Sequence, residues 1–120
     1  HKININAENT KRQIENGKAI LEDIKNKTHA KIIMLEPFLL DAPGLPKIHE
    51  DVERKKKIVY KLADEYADAF LKCQSIFDEA SADRPPMYWA EDGIHPTHEG
   101  AVLLAEGYTE AAIPLIEQLH

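Results

Sequence analysis

The stretch "AKIIMLEP", residues 30–37, decides how the rest of the chain is read. Ile32, Ile33, Met34 and Leu35 form an unbroken apolar run instead of alternating with polar residues. That is the pattern of a strand covered by helices on both faces, as in a parallel sheet. Pro37, which lacks an amide proton, ends it.

Upstream, Ile14, Gly17, Leu21 and Ile24 recur at helical spacing and predict an amphipathic helix from Ala7 to Asn26, with Asn6 as N-cap and Glu8 near the positive end of the dipole. Downstream, "FLLDAPGLPKIHE" (38–50) contains Pro43, Gly44 and Pro46 and predicts a loop. From about Lys47 to Ala67 the apolar positions Ile48, Val52, Val59, Leu62 and Tyr66 predict a second long helix, with Arg54, Lys55, Lys56, Lys57 and Lys61 mostly outward. This basic run has two readings, a patch for an anionic partner and a solvated helix face, of which the second is the commoner case. "DAFLKCQ" (68–74) predicts a short strand, because strand, long helix and strand make a crossover unit. A final helix is predicted from Thr97 to Leu119, weakened or kinked at Gly107 and Pro114.

The order helix, strand, helix, strand, helix belongs to the α/β class with a parallel sheet. Two strands are too few for such a sheet, since a buried parallel strand needs neighbours and open edges attract partners. The expectation is that further strands complete it.

The 120 residues suit one domain, and 43% hydrophobic content is ordinary for a globular protein. A net charge of −6, from 15 basic and 21 acidic residues, argues against a nucleic-acid partner, which needs a basic face. No apolar run approaches the roughly 20 residues of a transmembrane segment, and the N-terminus lacks a signal-peptide core. Cys73 is the only cysteine, so no internal disulfide forms. A cytoplasmic location is expected, with a secreted bacterial protein as the alternative. The first residue is His1 rather than methionine, which fits a processed product or one piece of a longer polypeptide.

The chemistry concentrates in "EDGIHPTHEG", residues 91–100. Gly93 allows a tight turn, Pro96 suits a first helical turn, Thr97 is a candidate cap and Glu99 favours a helix N-terminus. Those features alone describe a structural helix start. In the functional reading, the loop follows the carboxyl side of the sheet, where open α/β folds bind ligands. His95 is then a general base, and Asp92 accepts from its Nδ1–H and leaves Nε2 free for a nucleophile. A third reading is a metal site built from Asp92, His95, His98 and Glu99, although the spacing matches no strong zinc pattern and His98 and Glu99 diverge by about 100° on a helix.

"YWAEDGIHPTHEGAVLLAE" (88–106), with "AKIIMLEPFLL" (30–40) well before it, resembles the C-terminal half of the SGNH hydrolases, the GDSL-type esterases and lipases. The resemblance covers nearly the whole chain. It implies that residues 1–120 are the C-terminal portion of one domain with a three-layer α/β/α, flavodoxin-like fold whose N-terminal strands lie outside this chain. It also implies an ester hydrolase that needs no cofactor, with His95 as catalytic base and Asp92 as its orienting acid. The family's Gly-Asp-Ser block and its Gly-x-Asn-Asp block are absent, and Asn4 and Asn6 fit neither. Of the two serines, Ser81 lies in no nucleophile context and Ser75 reads as an N-cap for "IFDEA". The nucleophile is therefore expected from the missing N-terminal part of the domain or from a second chain, which would also complete the sheet.

Four further residues carry paired readings. Cys73 is either a nucleophile or, being placed in an apolar strand, a small core residue, and the core role is favoured. Trp89, with Tyr88, either walls a pocket for the acyl or sugar part of a substrate or simply packs. Glu36 either lines the same cleft or stabilises a turn. The expected substrate is an ester of a small molecule, a carbohydrate or a lipid. The alternative to an enzyme is a fragment or degenerate homologue that binds a partner through its open sheet edge.

Overall fold

The computed structural model describes residues 2–42 and 46–119, with side chains from Glu8 to Ala42 and from His49 to Leu119. Its elements are α1 (Lys2–Lys27), β1 (Ile33–Leu35), α2 (Pro46–Tyr66), β2 (Ala69–Leu71), α3 (Cys73–Ala80), α4 (Pro86–Trp89) and α5 (His98–Gln118). The expected α/β order is present, with two short helices added between β2 and α5.

β1 and β2 pair in parallel, Ile33 opposite Ala69, Met34 opposite Phe70 and Leu35 opposite Leu71. Because side chains alternate along a strand, Met34 and Phe70 share one face. On that face Met34 packs against Ile58, Leu62 and Tyr66 of α2, joined by Ile14 and Leu21 of α1. Phe70 meets the Tyr60 ring edge-on at 5.7 Å. The other face points Leu71 at Gly107 of α5. Here the expectation of a strand buried on both sides is corrected: Ile33 and Met34 are only partly buried and Leu35 is 46% exposed. The long helix α5 packs on β2, α3 and α4 and not to a comparable extent on β1, so the outer part of β1 stays open. The radius of gyration, 16.2 Å, exceeds the roughly 14 Å of a compact domain of this length.

α1 and α2 are joined by apolar contacts, by Tyr66 Oη donating to Glu22 at 2.6 Å, and by a Lys18–Glu65 ion pair. α1 begins at Lys2, so Asn6 is inside the helix rather than its cap. α2 starts at Pro46, which suits a first helical turn, so the predicted loop ends earlier than Glu50. Pro43 and Gly44 lie outside the described residues, as does the side chain of Ile48. Lys56, expected outward, is buried and donates to Gln74 Oε1 at 2.9 Å. Among the described residues no helix is long and apolar enough to cross a membrane.

α3 follows β2 directly, with Lys72 at its N-cap position and no side-chain cap of its own. Glu36 supplies the missing acceptor: its Oε1 takes the Gln74 amide at 2.9 Å, placing a carboxylate at the positive end of the helix. Ser75 is therefore not a cap but an exposed residue within the helix. Cys73 lies not in a strand but at the first position of α3, where it and Phe77 are the largest fully buried side chains among the described residues. Phe77, Leu40 and Ala90 make a second core cluster with Phe38, Trp89, Leu103 and Leu104. This cluster underlies the segment that carries Asp92 and His95.

Candidate active site

Thr97 begins the construction. Its Oγ1 accepts the Gly100 amide at 3.1 Å and caps α5, while its hydroxyl faces the carbonyls of Tyr88 at 2.8 Å and Trp89 at 3.1 Å. The Thr97 amide donates to Trp89 O at 2.9 Å. One residue thus sews the start of α5 to the end of α4. Pro96 precedes the cap and is not in the helix, a correction of the expectation that it occupies the first turn.

Between Ala90 and Thr97 the chain turns over Gly93, whose φ of 84° lies in the left-handed region that an L side chain disfavours. Asp92 folds this turn onto itself: its Oδ1 accepts the amides of Ile94 at 2.9 Å and His95 at 2.7 Å. Its Oδ2 lies 2.6 Å from His95 Nδ1. These bonds, led by the one from the His95 ring, hold the Asp92 carboxyl well below the usual carboxylate range. An ionised carboxylate only accepts, so Nδ1 carries the proton and, in the neutral ring, Nε2 keeps its lone pair.

The His95 side chain is 82% exposed and that of Asp92 53%. They line an open depression of about 480 Å³ together with Glu91, Pro96 and Thr97. The turn is anchored from below, where Leu40 N donates to Gly93 O at 2.9 Å. That bond places the depression beside the chain leaving the carboxyl end of β1, the side on which open α/β sheets hold ligands.

Two other nominated residues are not brought into this depression. Glu36 is buried, accepting from Tyr60 Oη as well as from the α3 amide. In return the Tyr60 hydroxyl is pushed up to about 12, first by that bond and then by burial. Here Glu36 holds the start of α3, a role that neither of its two readings named. Trp89 packs on the Phe77 cluster and donates from Nε1 to Arg84 O at 3.2 Å. Glu91, Pro96 and Thr97 line the depression without having been read as site residues; only their nearness to Asp92 and His95 signals it. Cys73 is buried, which pushes its thiol up and away from nucleophile chemistry. Ser81 Oγ donates to Phe77 O at 2.7 Å, and neither serine lines the depression. Among the described residues no three His, Cys, Asp or Glu side chains converge as a metal site would require, and His98 points to solvent at the start of α5.

No family model matches the chain, and no curated protein matches it. A solved structure does. The crystal structure of "a putative GDSL-like lipase" from Parabacteroides merdae ATCC 43184 is similar with a TM-score of 0.76 and 31% identity over 85% of this chain. The match covers 49% of that protein, so these 120 residues span about half the length of the GDSL-like lipase chain they resemble.

Proposed function

We propose that residues 1–120 are the C-terminal portion of an SGNH-type ester hydrolase and supply its base and orienting acid. The observation that carries this reading is the 2.6 Å contact from His95 Nδ1 to Asp92, which leaves Nε2 as the free nitrogen of a ring that lines an open depression. The likeness to half of a GDSL-like lipase supports it. So do the half-open β1 and the expanded radius of gyration, as expected where further strands complete a three-layer fold.

In this reading His95 Nε2 takes the proton of a serine hydroxyl outside these residues while that oxygen attacks the ester carbonyl. The same proton passes to the departing alcohol. Water then enters and His95 removes its proton as the water oxygen attacks the acyl carbonyl; the bond to the serine oxygen breaks, that oxygen takes the proton back from His95, and the acyl group leaves as a carboxylic acid. Asp92 does not accept the proton; it fixes the ring and stabilises the imidazolium. The substrate is an ester of a small molecule, carbohydrate or lipid.

The test uses the full-length product of the gene that encodes these residues. Hydrolysis of a short-chain aryl ester should fall about 10³-fold or more in His95→Ala, and less in Asp92→Asn. A fluorophosphonate should label one serine outside residues 1–120, located by peptide mass mapping. Unchanged turnover in His95→Ala overturns the assignment. A full-length protein without any hydrolysis favours the binding-module reading, in which the open edge of β1 recruits a partner.

A further inference from the structure

Gln74 does not touch His95, yet its side-chain amide is committed on every side. Oε1 accepts the Leu39 amide at 2.9 Å and the Lys56 ammonium at 2.9 Å. Nε2 donates to Leu39 O at 3.1 Å and to Asp78 Oδ1 at 3.0 Å. The orientation is unambiguous on chemical grounds, because the flipped amide would aim its NH₂ at two donors and its oxygen at two acceptors. Both polar groups of the Leu39 backbone are therefore held by one side chain 35 residues away in sequence.

The next residue passes this constraint on. Leu40 is 4% exposed, and its amide donates to Gly93 O at 2.9 Å. Gly93 is the residue at positive φ about which Asp92 folds back onto Ile94 and His95. From these contacts we infer that Gln74 is a positioning residue for the Asp92–His95 pair: it fixes the Leu39 backbone, and Leu40 in turn fixes the turn that presents His95. Resting on the proposed hydrolase for its chemical meaning, the inference is tested by a measurement that needs no turnover.

Two-bond ¹H–¹⁵N correlation of the imidazole, at a pH where the ring is neutral, reports which nitrogen carries the proton. In the unaltered full-length protein the Nδ1–H tautomer held by Asp92 should dominate. In Gln74→Ala the balance should move to the Nε2–H form that free imidazole favours, and Leu40 amide exchange should quicken about 10-fold or more. Amides of the α1–α2 pair should keep their protection. In the full-length hydrolase the same variant should lower kcat with KM nearly unchanged.

If Gln74→Ala does not fold, Gln74→Glu decides. It keeps an acceptor for Lys56 and for the Leu39 amide, loses the donors to Leu39 O and to Asp78 Oδ1, and should shift the tautomer balance in the same direction by a smaller amount. A folded variant with unaltered His95 tautomer and unaltered Leu40 exchange overturns the inference, whether or not the protein hydrolyses esters. Conversely, a shifted tautomer in a protein without esterase activity upholds the positioning role and overturns only the proposed reaction.

Discussion

Gly17 and Gly100 each sit where a helix comes close to a second element, and they differ in what they meet. A Cβ on Gly17 would lie 2.7 Å from Leu62 Cδ1, the tip of a flexible side chain on α2. On Gly100 it would lie 2.1 Å from the carbonyl oxygen of Trp89, which already accepts from Thr97. The first contact yields by a rotamer change. Relief of the second requires moving the α4–α5 junction that carries Asp92 and His95. At these close approaches the α1–α2 contact thus meets an adaptable apolar side chain, and the site region meets backbone fitted to backbone.

The strongest way to break this contrast is to empty the core beneath the site. Phe77 is fully buried, and Phe77→Ala should cost about 3–5 kcal/mol in chemical denaturation. Trp89 is the only tryptophan and lies on this cluster, so its fluorescence reports the site region while circular dichroism follows the long helices. The fluorescence transition should come first; coincident transitions would mean that the two regions do not differ as described.

Next in size is Gly100→Ala, expected to destabilise by about 1–3 kcal/mol or more as the backbone shifts. Thr97→Ala should cost about 0.5–2 kcal/mol through the lost cap of α5. Both should also loosen the Asp92–His95 contact, visible as a change in the His95 ring resonances. At the small end, Gly17→Ala trades a flexible contact against a gain in helix propensity of about 1 kcal/mol, so its net change should stay within about that amount. A larger loss there would place α1 and α2 in the rigid class too.

The two regions should also part at opposite ends of the pH scale. The depressed Asp92 carboxyl stabilises the site turn above the ordinary carboxylate value of 3.8, and that contribution is lost only as pH falls well below it. Carboxyl-carbon resonances of Asp92 against pH check this. Tyr66 behaves in the reverse sense: its bond to Glu22 pushes it up to about 12, so the contribution is full below 10 and disappears as pH rises through 12. Absorbance of the phenolate should show this late step superposed on that of Tyr60, and Tyr66→Phe should reduce its amplitude by the share of one tyrosine.

Much of this was visible in residue order because it is local. The spacing of Leu62 and Tyr66 marked the α2 face that packs on Met34, and Thr97 marked the start of α5. Asp92 and His95 are three positions apart, so one turn suffices to join them. The failures share a cause. α3 starts at Cys73 because Glu36, 38 positions before Gln74, supplies an acceptor that no nearby residue supplies. Lys56 looked like its neighbours in a basic run and is buried because Gln74 receives it. α4 is a single turn around Pro86, too short for periodicity to register.

Residue order by itself therefore determined the α/β alternation, the long helices and the nearness of an imidazole to a carboxylate, since each follows from spacing within a few residues. Tertiary structure decided which face of β1 stays open, that Glu36 serves a helix start, and that the His95 turn rests on Leu40. Those outcomes depend on groups brought together across tens of residues, where burial and hydrogen-bond demand choose partners that local pattern does not encode.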